Sequence, residues 1–256
     1  MPLLDLRRCA LSLLISLSAL GAGAANTAEL TVSAAASLTQ ALREIAPLFE
    51  AGQPGHRLQF NFGASGALLQ QIAKGAPADV LATADQETMD RAQAQQLITA
   101  SLRRDFARNE LVLILPAASA LHPKALADLA QPAYARIAIG LPASVPVGRY
   151  TQEALQMAGL WSAIEPKMIG ASNVRQALDY VARSEVDAGF VYATDAALMP
   201  DKLRRAAFTV PTRKPVLYPA APVAASTQPG LARAFVEFLL TPPARVVLAR
   251  HGFGAP

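Results

Sequence analysis

The chain has 256 residues, 52% of them hydrophobic and 16% charged, with a formal net charge of +4. That composition supports a packed core and excludes an intrinsically disordered chain. The charges are scattered, with no Lys/Arg run and no interleaved aromatics, so a nucleic-acid partner is not indicated.

The first residues read as a leader. Arg7 and Arg8 precede an apolar run from Ala10 to Leu20, followed by small residues with an A-x-A site at Ala22-Gly23-Ala24. This is the layout of a secretory signal peptide over 1–25. The apolar run is shorter than the ~20 residues a membrane span needs, which disfavours an anchor. Cys9 is the only cysteine and precedes the end of that run, where a lipoprotein cysteine would not sit. A mature chain without thiol, disulfide or thiolate metal site is expected, soluble in an oxidising compartment outside the cytoplasm. Taking Arg7, Arg8 and Asp5 from the 23 basic and 19 acidic residues leaves 21 and 18, a mild +3.

Strand and helix patterns then alternate. "ELTVS" (29–33) reads as a strand, and Leu38, Ala41, Leu42, Ile45, Leu48 and Phe49 recur at helical spacing. "RLQFNF" (57–62) predicts a strand, and "SGALLQQIAKG" (65–75) a helix closed by Gly75. "ADVLAT" predicts a short buried strand, followed by a helix from about Asp85 to Gln95. "ELVLILP" (110–116) is the most apolar strand pattern. "RIAIGL" (136–141), "VGRYTQEALQMAGL" (147–160), "EPKMIG" (165–170) and "SNVRQALDYVARSE" (172–185) repeat the strand–helix grammar. "DAGFVYATDAAL" (187–198) predicts a strand running into a short helix. "AAFTVP" and "VLYPAAPVAA" predict strands, and one or two helices close the chain.

The alternation predicts an α/β fold with two lobes, each a mainly parallel sheet flanked by helices. "ELVLILP" and "AAFTVP" are expected to cross between the lobes, leaving a cleft suited to hinge closure on a ligand. Lobe one is expected over 26–108 plus 213–256, and lobe two over 109–212.

In parallel α/β sheets, ligands bind at the carboxyl ends of strands, where helices begin. Five such junctions carry Ser37; Ser65; Ser144, Val147 and Gly148; Ser172, Asn173 and Val174; and Tyr192. They are small and uncharged, apart from Asp195 and the Arg residues just inside the helices. Helix starts leave unpaired N–H groups and a partial positive charge. Small neighbours admit a ligand, and serine hydroxyls add donors. Jointly the junctions point to an oxyanion site without formal charge. Singly, each has a plainer reading. Ser37 with Gln40 forms a capping box, "GASG" makes a tight turn, and Tyr192 fills a core.

Other chemistries find little support. His56, His122 and His251 lack metal-ligand spacing and are expected at the surface. "GASGA" around Ser65 is not a nucleophile elbow. No P-loop lysine follows "GASG" or "GRYTQE". Asp79 and Asp85 are better explained as a turn residue and a helix N-cap than as paired catalytic carboxylates.

In this order, "VSAAASLTQAL" (32–42), "FGASGALLQQI" (62–72), "GAPADVLATADQETMD" (75–90), "VPVGRYTQEAL" (145–155), "NVRQALDYV" (173–181) and "GFVYATDA" (189–196) resemble the periplasmic molybdate-binding proteins of ABC transporters. The resemblance covers nearly the whole mature chain. It implies a type II periplasmic binding-protein fold and a tetrahedral oxyanion, molybdate or tungstate, held only by hydrogen bonds. By motif, Ser37 and Ser65 would each give a hydroxyl and a backbone N–H, Val147 and Val174 a backbone N–H, and Tyr192 its phenol. No side chain would ligate the metal directly, no cofactor is implied, and the chain would be a binding protein rather than an enzyme. The implied partner is a membrane permease, served by a monomer in the periplasm. The family often has alanine where Val147 stands, a change that a main-chain donor survives.

A donor-only site favours an anion that carries no proton. Hydrogen phosphate would set its own donor against the site's donors. Sulfate would have to be excluded by size, and tungstate hardly at all. The alternatives are another solute on the same fold (sulfate, chromate, a phosphonate or ferric ion), an exported hydrolase using Ser65 with a distant histidine, and a signalling sensor domain.

Overall fold

The computed structural model describes residues 28–256; the leader expected over 1–25 lies outside the described residues. The first segment runs β1 (Ala28–Ala35), α1 (Thr39–Ala51), β2 (His56–Gly63), α2 (Ser65–Ala73), β3 (Val80–Ala82), α3 (Gln86–Ala94) and β4 (Arg104–Asn109). The middle runs β5 (Leu111–Pro116), β6 (Ile137–Gly140), α4 (Pro146–Met157), α5 (Trp161–Ile164), β7 (Met168–Ala171), α6 (Val174–Ala182), β8 (Ala188–Tyr192), α7 (Ala193–Ala196) and β9 (Leu203–Arg205). The chain closes with β10 (Val216–Pro222), α8 (Pro229–Phe238) and α9 (Pro242–Arg250).

These strands form two five-stranded sheets, ordered β2-β1-β3-β10-β4 and β7-β6-β8-β5-β9. In each, the first three strands are parallel and joined over helices. Val32 of β1 lies opposite Phe60 and Val80, and Ala138 of β6 lies opposite Ile169 and Gly189. β10 and β5 run antiparallel to both of their neighbours. Each sheet is therefore half parallel and half antiparallel, rather than mainly parallel. The cause is connectivity: β10 and β5 arrive from the other sheet instead of returning over a helix.

The chain crosses first at Glu110, the single residue between β4 and β5. It crosses back through residues 206–215, which are irregular where "AAFTVP" predicted a strand. Ala206 N still donates to Leu113 O at 2.9 Å, extending the β9 pairing by one residue. Beyond it the chain leaves the sheet edge, and Pro211 and Pro215 have no N–H to offer a ladder. β4 was not expected, because "RDFARN" carries three charges in six residues. Its Phe106 and Ala107 are nonetheless buried against β10.

Helix packing follows the apolar stripes. In α1, Ala41, Leu42, Ile45, Ala46 and Phe49 are buried. Leu48, expected on the same stripe, lies at its edge and is exposed. Phe49 meets Phe235 and Phe238 of α8 edge-on, with centroids 5.2 and 5.5 Å apart, which ties α8 to α1. Tyr192 and Tyr218 are among the largest fully buried side chains, so two phenol hydroxyls need partners inside the core.

Candidate functional site

The carboxyl ends of β1, β2, β6 and β7 and the end of β8 converge between the two sheets on one small cavity. Its lining is Ala35, Ala36, Ser37, Gly63, Ala64, Ser65, Ala84, Val145, Pro146, Val147, Val174 and Tyr192, with no charged residue among them. All five residues singled out in the sequence, Ser37, Ser65, Val147, Val174 and Tyr192, line this one space, and each is buried.

Neither serine caps its helix. Ser37 sits in a short 3-10 turn (Ala36–Leu38), and its Oγ lies 3.0 Å from Tyr218 Oη. The expected capping box does not form, because the N-cap of α1 is Leu38 and Gln40 Oε1 accepts from Arg175 Nη2 at 2.7 Å. Ser65 is the first residue of α2, and its Oγ accepts the Ala84 N–H at 3.1 Å. With that lone pair engaged, the Ser65 hydrogen is free for a guest.

The two valines present main chain. Pro146 opens α4 and has no N–H, so Val147 carries the first free N–H of that helix. The helix start lies hard against the end of β6. A Cβ on Gly148 would meet Gly140 O at 1.9 Å, and one on Gly140 would meet Val145 Cγ1 at 2.6 Å, so both positions require glycine. Val174 opens α6. Asn173 Oδ1 caps that helix by accepting from Arg175 N (2.9 Å) and Gln176 N (3.1 Å), which leaves the Val174 N–H uncapped. Ser172 is exposed and outside the cavity, and its N–H donates to Gln176 Oε1 at 2.6 Å. Ser144 does not line the cavity; its carbonyl accepts Gly66 N from the first sheet's side at 3.0 Å.

Tyr192 ends β8, and its phenol donates to Ala84 O across the cleft at 3.4 Å, a long bond that is easily exchanged for a better acceptor. Burial is the main cause that raises its pKa well above the ordinary tyrosine value, with nearby Tyr218 adding to it. The phenol therefore stays a neutral donor. Tyr218 is raised likewise, again chiefly by burial.

Two arginines flank the cavity. Arg149 of α4 reaches Asp85 Oδ2 with Nε at 2.9 Å and Nη2 at 2.5 Å, and Nη2 also donates to Thr88 Oγ1 at 2.7 Å. Asp85 is the N-cap of α3, as expected. Arg175 Nη2 donates to Ser37 O at 3.2 Å, while its Nε lies 2.9 Å from Asp195 Oδ1. Asp195 is wholly buried, and that burial raises its pKa to about 6 against the opposing pull of Arg175. The bonds of Arg149 to Asp85 and Thr88 and of Arg175 to Ser37 O, with Gly66–Ser144 and Tyr192–Ala84, close the lobes on each other. Sequence reasoning missed Tyr218, Asn109 and Ala84, which carry no local signature: "VLYPAAP" reads simply as a core strand.

No histidine lines the cavity. His56 Nδ1 bonds Pro54 O, and His251 Nε2 bonds Glu44 at 2.7 Å, so Ser65 has no base to activate it. Among the described residues, no group of three or more His, Cys, Asp or Glu is placed to hold a metal ion. Nor is any described helix long and apolar enough to cross a membrane.

Residues 30–254 match the family model described as bacterial extracellular solute-binding protein. This chain belongs to that family. Among individual relatives, the molybdate-binding protein ModA of Escherichia coli is 35% identical over 93% of this chain and 94% of its own length. The ModA of Haemophilus influenzae is 33% identical over 96% and 97%. The solved periplasmic molybdate-binding protein of Azotobacter vinelandii superposes with a TM-score of 0.76, covering 89% of this chain and 99% of that one at 24% identity. That likeness shows the two-lobed α/β architecture. Family and relatives are substrate-binding proteins, so the chain is a solute-binding protein and not an enzyme.

Proposed function

We propose that the protein captures molybdate, and tungstate equally, in the cavity between its lobes and delivers it to an ABC permease from the periplasm. One observation carries this reading: five buried residues with donors to offer surround a single space that contains no charged side chain. The ModA relatives, which cover nearly the whole chain, support molybdate as the solute.

Molybdate is a dianion at neutral pH and only accepts hydrogen bonds. Ser37 and Ser65 would offer hydroxyl and main-chain hydrogens, Val147 and Val174 main-chain hydrogens, and Tyr192 its phenol. Charge-assisted bonds of this kind are about twice as strong as neutral ones. With the partial positive charge at helix starts, they offset the cost of burying a dianion that has no counter-ion. Ala35, Ala36, Ala64 and Ala84 keep the backbone accessible. Hydrogen phosphate finds no carboxylate in the lining to accept its proton and is disfavoured.

Thermal unfolding with molybdate, tungstate, sulfate and phosphate tests the reading. A ligand at about 1,000 times its Kd stabilises by ~4 kcal/mol. For a protein of this size that raises the midpoint by roughly 8–16 °C. Shifts with molybdate and tungstate alone support the proposal; the same midpoint with all four anions as without them contradicts it.

A further inference from the structure

Behind Ser37, on the side away from the cavity, lies a run of buried polar groups whose hydrogens have only one self-consistent arrangement. Asn109 ends β4, and its Oδ1 accepts the Glu110 N–H at 2.9 Å. A backbone N–H can only donate, so the amide oxygen must face Glu110. The amide nitrogen then faces Thr194 Oγ1 at 2.9 Å and Tyr218 Oη at 3.2 Å. That nitrogen is a donor only, so Tyr218 Oη accepts from it. The phenol is fully buried, and its one remaining hydrogen-bond neighbour is Ser37 Oγ at 3.0 Å. Its own hydrogen therefore goes to Ser37. The serine oxygen receives, and its hydrogen is left to point at the cavity it lines.

We infer that Tyr218 is a positioning residue that fixes the Ser37 hydroxyl as a donor toward the bound anion, with Asn109 setting the direction of the chain. This rests on the oxyanion reading of the cavity. Tyr218 does not itself line the cavity and acts only through Ser37. Its ring is clamped by edge contacts to Tyr192, Phe253 and Phe106, with centroids 5.9, 5.3 and 6.5 Å away, so the phenol cannot swing aside. Each bond in such a chain polarises the next and strengthens the terminal donor. A hydroxyl locked as donor also cannot turn to accept the proton of hydrogen phosphate, so the same chain contributes to selectivity.

The test is a double-mutant cycle of Ser37→Ala and Tyr218→Phe, read by calorimetric titration of molybdate and phosphate into the whole mature protein. Tyr218→Phe keeps the ring and its packing. Acting through Ser37, it weakens molybdate roughly tenfold in the unaltered background and less than about twofold when Ser37→Ala is already present. Equal losses in the two backgrounds, or no loss in either, overturn the inference. Asn109→Asp is the second variant. A carboxylate there takes the Tyr218 hydrogen and turns the chain round, so that Ser37 shows the cavity a lone pair. The preference for molybdate over phosphate then falls about tenfold or more, whereas added charge alone would weaken both dianions alike and leave the ratio unchanged, which overturns the inference. An unaltered protein that binds no molybdate overturns the functional reading itself, and this inference with it.

Discussion

Arg149 of α4 grips Asp85 at the head of α3 with two nitrogens on one oxygen, 2.9 and 2.5 Å away, so the ion pair spans the cleft between the sheets. The side chains are only 11% and 5% exposed, where a broken pair leaves an uncompensated charge. Opening the lobes lets both groups hydrate, so the pair acts as a latch on the closed state. Arg149→Ala is expected to weaken molybdate binding about tenfold, the scale of one hydrogen bond to a charged group. The loss should appear in the release rate by stopped-flow. A slower capture with unchanged release would contradict the latch.

Ser37→Ala removes a hydroxyl donor and should cost roughly 1.5–3 kcal/mol of molybdate affinity, the range for a hydrogen bond to a charged group. Calorimetry checks it, and unchanged affinity would remove Ser37 from the site.

Val147 is proposed to act through its backbone alone. Val147→Ala should therefore hold affinity within about twofold, while Val147→Pro deletes the N–H. Proline is tolerated in the first turn of a helix, so the variant should fold. Circular dichroism and calorimetry separate the two effects. Equal binding by both variants would show that this N–H is not used.

Asp195 makes stability depend on pH. Burial raises its pKa to about 6 in the folded protein, from 3.8. The folded state therefore holds more protons than the unfolded state between those values, and stability falls as pH rises through the window. By linkage the loss is of the order of 3 kcal/mol. The advantage of the unaltered protein over Asp195→Asn should shrink from pH 4 to pH 6 in denaturant titrations. A difference that stays constant across this range would contradict the assignment.

The alternation of strands and helices was legible because apolar spacing survives in a single sequence, as did the small, uncharged junctions at Ser37, Ser65 and Val174. β4 was not legible, because a strand at the edge of a sheet tolerates charges such as Arg104 and Asp105 while burying Phe106. "AAFTVP" (206–211) has a strand's composition, but past Ala206 it finds no strand to pair with. Tyr218 and Asn109 were invisible for a different reason. Their hydroxyl and amide meet Ser37 and Thr194 from 181 and 85 residues away, and only the folded chain brings such partners together. Arg149 and Arg175 could be seen just inside their helices, but not their reach across the cleft to Asp85 and to Ser37 O.

The most direct measurement is anomalous diffraction at the molybdenum edge from crystals of the protein grown with molybdate. The account predicts a single strong peak in the cavity, within hydrogen-bond reach of the Ser37 and Ser65 hydroxyls, the Val147 and Val174 N–H groups and the Tyr192 phenol. An empty cavity, or a peak held by other residues, would contradict it.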